Sequence, residues 1–120
     1  MSNETVVFAL DFAGKEGSAD AFQSVAEDMT AGTRLESGAL AYDWYLSADR
    51  TRCRLVEIYK NSDAVLAHCT GPVVRDHIPK LLEHATIARF EVYGSPGAEA
   101  TAILLDVGAE IFPNLIRLKP

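Results

Sequence analysis

Two alternating segments constrain this chain more than anything else in it. Residues 39–46 (ALAYDWYL) and 52–60 (RCRLVEIYK) flank a polar break at 47–51, and together they read as a β-hairpin. In the simple register Leu40, Tyr42, Trp44 and Leu46 share a face with Cys53, Leu55, Glu57 and Tyr59. Ala41, Asp43 and Tyr45 lie on the other face with Arg54, Val56 and Ile58. Both faces are partly apolar, so the sheet has to be covered twice. A chain of 120 residues carries helices enough for one side. The other side is expected to meet a second copy of the chain.

The remaining elements fall around this hairpin. Residues 5–13 (TVVFALDFA) are rich in β-branched and aromatic side chains and form a first strand ended by Gly14. Ser18 offers an N-cap, Asp20 suits the first turn, and Ala19, Phe22, Val25, Ala26 and Met29 follow at helical spacing until Gly32 closes the helix. Asn61-Ser62-Asp63 starts a second helical region, split at Gly71-Pro72, whose later piece carries Val74, Ile78 and Leu82 as a stripe joined by Leu81 and Ala85. Pro79 removes a backbone donor there and is expected to kink or break the helix. Residues 85–93 (ATIARFEVY) alternate as a fourth strand. A short helix over roughly 98–107 and an extended apolar tail over 111–118, interrupted by Pro113, complete the chain.

The order β-α-β-β-α-β defines an α+β, ferredoxin-like arrangement: a four-stranded antiparallel sheet with its helices on one face. The expectation is a single domain over 1–120, with its core at 5–96 and a C-terminal extension of helix and tail at 97–120.

Composition narrows the function. With 48% hydrophobic and 23% charged residues the chain can build a packed core, which excludes a disordered tail or a disulfide scaffold. Seventeen acids against eleven bases leave a net charge of −6, which repels a phosphate backbone and argues against nucleic acid as a partner. The basic cluster Arg50, Arg52 and Arg54 reads as a solvated hairpin tip or a local anion patch. Cys53 and Cys69 form no CxxC pair, so both read as reduced, inert thiols rather than zinc ligands. No apolar run approaches the roughly 18 residues of a membrane span, so no membrane partner is expected. The opening MSNET has neither the basic nor the apolar region of a leader, which points to the cytoplasm.

The stretch 36–68 (ESGALAYDWYLSADRTRCRLVEIYKNSDAVLAH) carries a more specific pattern. An acid and a glycine (Glu36, Gly38) precede a strand with a Tyr (Tyr42). Glu-x-aromatic (Glu57, Tyr59) ends the next strand, a polar helix start follows (Asn61-Ser62-Asp63), and a His lies nine residues beyond the aromatic (His68). Together with Val92-Tyr93-Gly94 this resembles the antibiotic biosynthesis monooxygenase family, which includes quinol monooxygenase-like proteins. The resemblance spans residues 5–96. It implies a homodimeric α+β barrel, two sheets face to face, with a pocket in each subunit between sheet and helices. It also implies oxidation of small phenolic or quinol-like aromatics by molecular oxygen, with no metal, flavin or other cofactor. The aromatic after Glu is commonly Trp in the family and is Tyr59 here. Haem-degrading relatives carry an Asn on the first strand and a Trp on the second helix. Leu10, Asp11 and His68 at those places argue against haem.

Oxidation without a cofactor needs an electron-rich ring in an apolar pocket, a base for its phenolic proton, and exclusion of water. His68 is the natural base, because an imidazole changes charge near neutral pH. Glu57 either orients that imidazole or holds the proton itself if burial favours its neutral form. Tyr42, Trp44 and Tyr59 are the expected aromatic wall, and His77 is expected to reach the substrate from the later helical piece. Each has a plainer reading: His68 as a helix C-terminal cap, Glu57 as a structural ion-pair partner, Tyr42 and Trp44 as core, His77 as a solvent-facing residue. His84 has no evident role. The three histidines make no i, i+4 pair with an adjacent acid, and no Ser-His-Asp set, phosphate loop or dinucleotide fingerprint is present. A non-catalytic dimeric ligand-binding protein of the same fold remains the alternative to an enzyme, and isomerisation or decarboxylation by the same His and acid is a third reading.

Overall fold

The structure, a computed structural model, describes residues 4–119; residues 1–3, part of the opening read above as leaderless, and residue 120 lie outside it. The elements are β1 (Val6–Gly14), α1 (Ala19–Thr33), β2 (Ala39–Leu46), β3 (Arg52–Tyr59), α2 (Ser62–Cys69), α3 (Pro72–Leu81), β4 (Ala85–Tyr93), α4 (Ala98–Asp106) and β5 (Glu110–Phe112). They form the expected α+β, ferredoxin-like fold. The sheet order is β2-β3-β1-β4-β5, with the first four strands antiparallel and β5 parallel to β4. The sheet is therefore five-stranded and mixed rather than four-stranded and antiparallel. The tail adds a strand because α4 carries the chain back along the sheet, where the Gly94 amide donates to the Phe112 carbonyl at 2.9 Å. No helix among the described residues is long and apolar enough to cross a membrane.

Strand alternation decides which face is covered. Val6, Phe8, Leu10 and Phe12 of β1 are buried toward the helices, as are Cys53, Leu55, Glu57 and Tyr59 of β3. The opposite face carries half-buried Val7, Ala9, Val56 and Ile58 and exposed Tyr45, Tyr93 and Phe112. Asp11 on that face holds Arg54 at 2.9 Å, and Arg89 holds Glu91 at 2.6 Å. All the helical packing lies on the first face, so within one chain the second stays open.

Several local expectations are corrected by packing. A register shift between Ala39 and Ala41 makes Leu40 the extra residue of a bulge, 58% exposed, and sets Ala39 opposite Tyr59 instead. α1 runs one residue past Gly32 and ends at Thr33. Gly32 lies inside the helix, where a Cβ would come within 2.7 Å of Val73 Cγ2, so it is the point at which α1 and α3 close on each other. The Ser18 side chain makes no capping bond. Pro79 is tolerated inside α3 because the helix ends two residues later, and the Leu82 amide still donates to Ile78. Val73, not Val74, is the buried valine of that helix.

Candidate active site

Three elements bring one acid–base cluster together. β3 places Glu57 and Tyr59 two residues apart on the helix face of the sheet. Asn61 caps α2 by accepting the Ala64 amide at 2.9 Å, fixing where that helix begins. Gly38 allows α2 to approach closely, since a Cβ at this position would collide with the Ala64 side chain. His68, in the last turn of α2, thereby descends beside the turn that joins α1 to β2 and carries Glu36.

His68 Nδ1 lies 2.9 Å and 3.1 Å from the Glu36 carboxylate oxygens, and Nε2 lies 3.5 Å from Glu57 Oε1. A carboxylate only accepts, so Nδ1 carries the ring proton and Nε2 is the nitrogen turned toward Glu57. The Tyr59 hydroxyl donates to Glu57 Oε1 at 2.5 Å. Burial pushes the Glu57 carboxyl up to about 7, against the opposing pull of His68 and the Tyr59 hydroxyl. Near neutral pH the Glu57 carboxyl is thus divided between its protonated and ionised forms. Burial, and next the Glu57 charge, drive the Tyr59 phenol far upward, and burial does the same to Tyr42, so both hydroxyls stay neutral. The imidazole is 3% exposed and tilts against the rings of Tyr42 and Tyr59, at centroid distances of 5.6 and 5.1 Å.

A cavity of about 130 Å³ opens from this cluster, between the sheet and α2, α3 and α4. Glu57 and His68 stand at its polar end; Phe8, Leu10, Leu55 and Phe90 form its floor, and Tyr42 also lines it. Cys69 borders it too, but burial pushes its thiol up to about 12, which makes it a poor nucleophile. Among the described residues no group of three or more His, Cys, Asp or Glu side chains is arranged to hold a metal ion.

The structure separates the other expected residues from this cavity. Tyr59 sits behind the site, fully buried, touching Glu57 rather than the open space. Trp44 does not reach it: its indole N–H donates to Thr30 Oγ1 at 2.9 Å and its ring stacks on Phe12. That places Trp44 in a wider, open groove of about 470 Å³ between α1 and β2, where no acid–base pair lies. His77 is also absent from the cavity wall, because α3 presents Val74 and Ile78 there and leaves His77 partly exposed. His68 does not cap carbonyls; its two nitrogens face Glu36 and Glu57. Glu36 was not among the residues assigned to the site. Its place in the acid–glycine pattern before β2 was the only sequence signal for it.

A sheet with helices on one face and a His–carboxylate cluster buried between them defines the class. The antibiotic biosynthesis monooxygenase family model matches residues 5–80, and the chain belongs to that family. Among solved structures, MupZ from Pseudomonas fluorescens superposes with a TM-score of 0.82 at 20% identity, covering 98% of this chain and 96% of its own. SnoaB from Streptomyces nogalater, a cofactor-independent oxygenase, gives 0.68 at 17% identity, covering 79% of this chain and 96% of its own. Rv0793 from Mycobacterium tuberculosis gives 0.69 at 25% identity, covering 79% and 98%. The first two likenesses are of fold alone. No curated protein sequence matches the chain.

Proposed function

We propose that this protein is a cofactor-free monooxygenase that oxidises a small phenolic or quinol-type aromatic with molecular oxygen, working as a homodimer in the cytoplasm. The observation that carries the reading is the His68–Glu57 pair at the polar end of an otherwise apolar cavity. His68 Nε2 takes the phenolic proton, Glu36 steadies the imidazolium through Nδ1, and Glu57 holds or returns a proton as the reaction requires. The phenolate then gives electrons to oxygen far more readily than the phenol. One oxygen atom enters the ring and the other leaves as water with the two hydrogens the substrate loses, so the substrate itself is the reductant. The apolar walls keep bulk water from the reacting ring. SnoaB, cofactor-independent on the same fold, supports this chemistry. The open sheet face, with Tyr45, Tyr93 and Phe112 exposed beside half-buried aliphatics, supports a second copy packed against it.

The test is oxygen uptake by chelator-treated protein with a panel of hydroquinones. Protein-dependent uptake that His68→Ala abolishes supports the proposal, and light scattering should give twice the chain mass. Saturable binding of an aromatic with no turnover would instead mark a ligand-binding protein.

A second reading rests on one observation: Glu57, pushed up to about 7, is an acid standing beside a base. That pairing suits proton-transfer chemistry such as isomerisation or decarboxylation. Turnover that persists under strict anaerobiosis would favour it over oxygenation.

A further inference from the structure

We infer that α4 is the specificity-determining wall of this site, limiting its substrate to an uncharged molecule about the size of one aromatic ring. The inference rests on the reading that the cavity holds the substrate. Ile103, Leu104 and Val107, from α4 and the residue after it, face the cavity opposite the sheet. All three lie beyond residue 80, where the family match ends, in a stretch that MupZ, covering 98% of this chain, also spans. SnoaB and Rv0793, covered almost completely themselves, account for only 79% of this chain.

Size follows from volume. The cavity, partly open to solvent, holds about 130 Å³, and apolar cavities of about 150 Å³ are known to hold benzene. A second fused ring exceeds that space and has to press on Ile103 and Val107 or stand out into solvent. Charge follows from the lining, whose ionisable groups are Tyr42, Glu57, His68 and the Cys69 thiol, with no Lys or Arg among them. A carboxylate or phosphate on the substrate would be desolvated with no Lys or Arg to meet it, beside an imidazole already flanked by Glu36 and Glu57.

The anchoring of α4 makes the wall separable from the fold. Ala100 and Leu104 are 1% and 2% exposed and fasten the helix, whereas Ile103 is half-buried and Val107 is 59% exposed. Gly97 and Gly108, at φ +91° and +89°, bracket the segment in backbone conformations that only glycine adopts freely. Trimming Ile103 and Val107 therefore enlarges the cavity while leaving both anchors in place.

Calorimetric binding of phenol, 2-naphthol and 4-hydroxybenzoate to the full chain tests this without requiring turnover. Wild type is expected to bind phenol, to bind 2-naphthol at least tenfold more weakly despite its larger apolar area, and to reject the anionic 4-hydroxybenzoate. Ile103→Ala/Val107→Ala should gain at least tenfold for 2-naphthol relative to phenol, which itself loses contact with the trimmed wall. Val107→Ala alone, at an exposed position, gives a smaller gain in the same direction and serves if the double variant fails to fold. Wild-type binding of 2-naphthol as tight as that of phenol, tight binding of 4-hydroxybenzoate, or no gain in folded variants overturns the inference while leaving the proposed function standing. Binding of none of the three by wild type or variant rejects the aromatic-site reading, and the inference falls with it.

Discussion

The imidazole of His68 is gripped by Glu36, thirty-two residues earlier in the chain, through contacts of 2.9 and 3.1 Å from Nδ1 to the two carboxylate oxygens. A ring held in this way by one nitrogen offers a defined second nitrogen to chemistry. On the proposed function, Glu36 acts on the substrate only through His68, as a positioning residue.

Glu36→Gln should leave the fold intact and release the tautomer. Ring ¹⁵N shifts of His68 are expected to change from a pure Nδ1–H form to a mixture, because a carboxamide can accept or donate. Hydroquinone turnover should fall roughly ten- to a hundredfold with KM little changed, a smaller loss than removal of the base itself. An unchanged tautomer would remove Glu36 from the mechanism.

Glu57 makes stability depend on pH in a definite direction. Its carboxyl is pushed up to about 7 in the folded chain from an ordinary value of 4.5. Between these values the folded state keeps a proton that the unfolded state has lost, so stability falls as pH rises through the window and levels off above it. Glu57→Gln lacks this decline. The variant's melting temperature relative to wild type should therefore rise from pH 4.5 to pH 8, by the equivalent of roughly 3 kcal/mol. A constant difference across that range would contradict the assignment.

Tyr59 supplies the hydrogen bond that favours the ionised form of Glu57. In Tyr59→Phe the Glu57 carboxyl should climb further, seen as an upward move of its ¹³C titration midpoint. The variant should lose about 1–3 kcal/mol at pH 8, where a buried carboxylate is left short of a donor, and less at pH 5. A midpoint that stays put would show that this contact does not tune the acid.

The contact between Gly32 and Val73 yields a sign reversal. Alanine is favoured over glycine within a helix by about 1 kcal/mol, yet a Cβ here would meet Val73 Cγ2 at 2.7 Å. Gly32→Ala should destabilise by about 1–3 kcal/mol in the native background. With Val73→Ala already in place, the same substitution should stabilise. Additive effects in denaturant unfolding would refute the close contact.

The spans of β2 and β4 are legible in the sequence to the residue, because alternation of apolar and polar side chains is a local property. Glu57 and Tyr59 were legible for the same reason: two residues apart on one strand, they share a face. What local pattern cannot carry is who meets whom at long range. Gly32 resembles a helix stop until Val73 is seen against it, and Glu36 resembles a turn residue until α2 brings His68 to it. Trp44 and His77 are suitable residue types on suitable elements for the pocket. Yet Trp44 turns to Thr30 and Phe12, while Val74 and Ile78 take the pocket side of α3. The tail's parallel pairing was invisible because it depends on where α4 returns the chain.

The proton-handling residues come from positions 36–68, while the wall formed by α4 comes from 103–107, joined to them only through packing. On the proposed reading, the acid–base residues and the last wall of the cavity are thus written in different stretches of the gene. A chain trimmed after β4 would keep its acid and base but expose them to water.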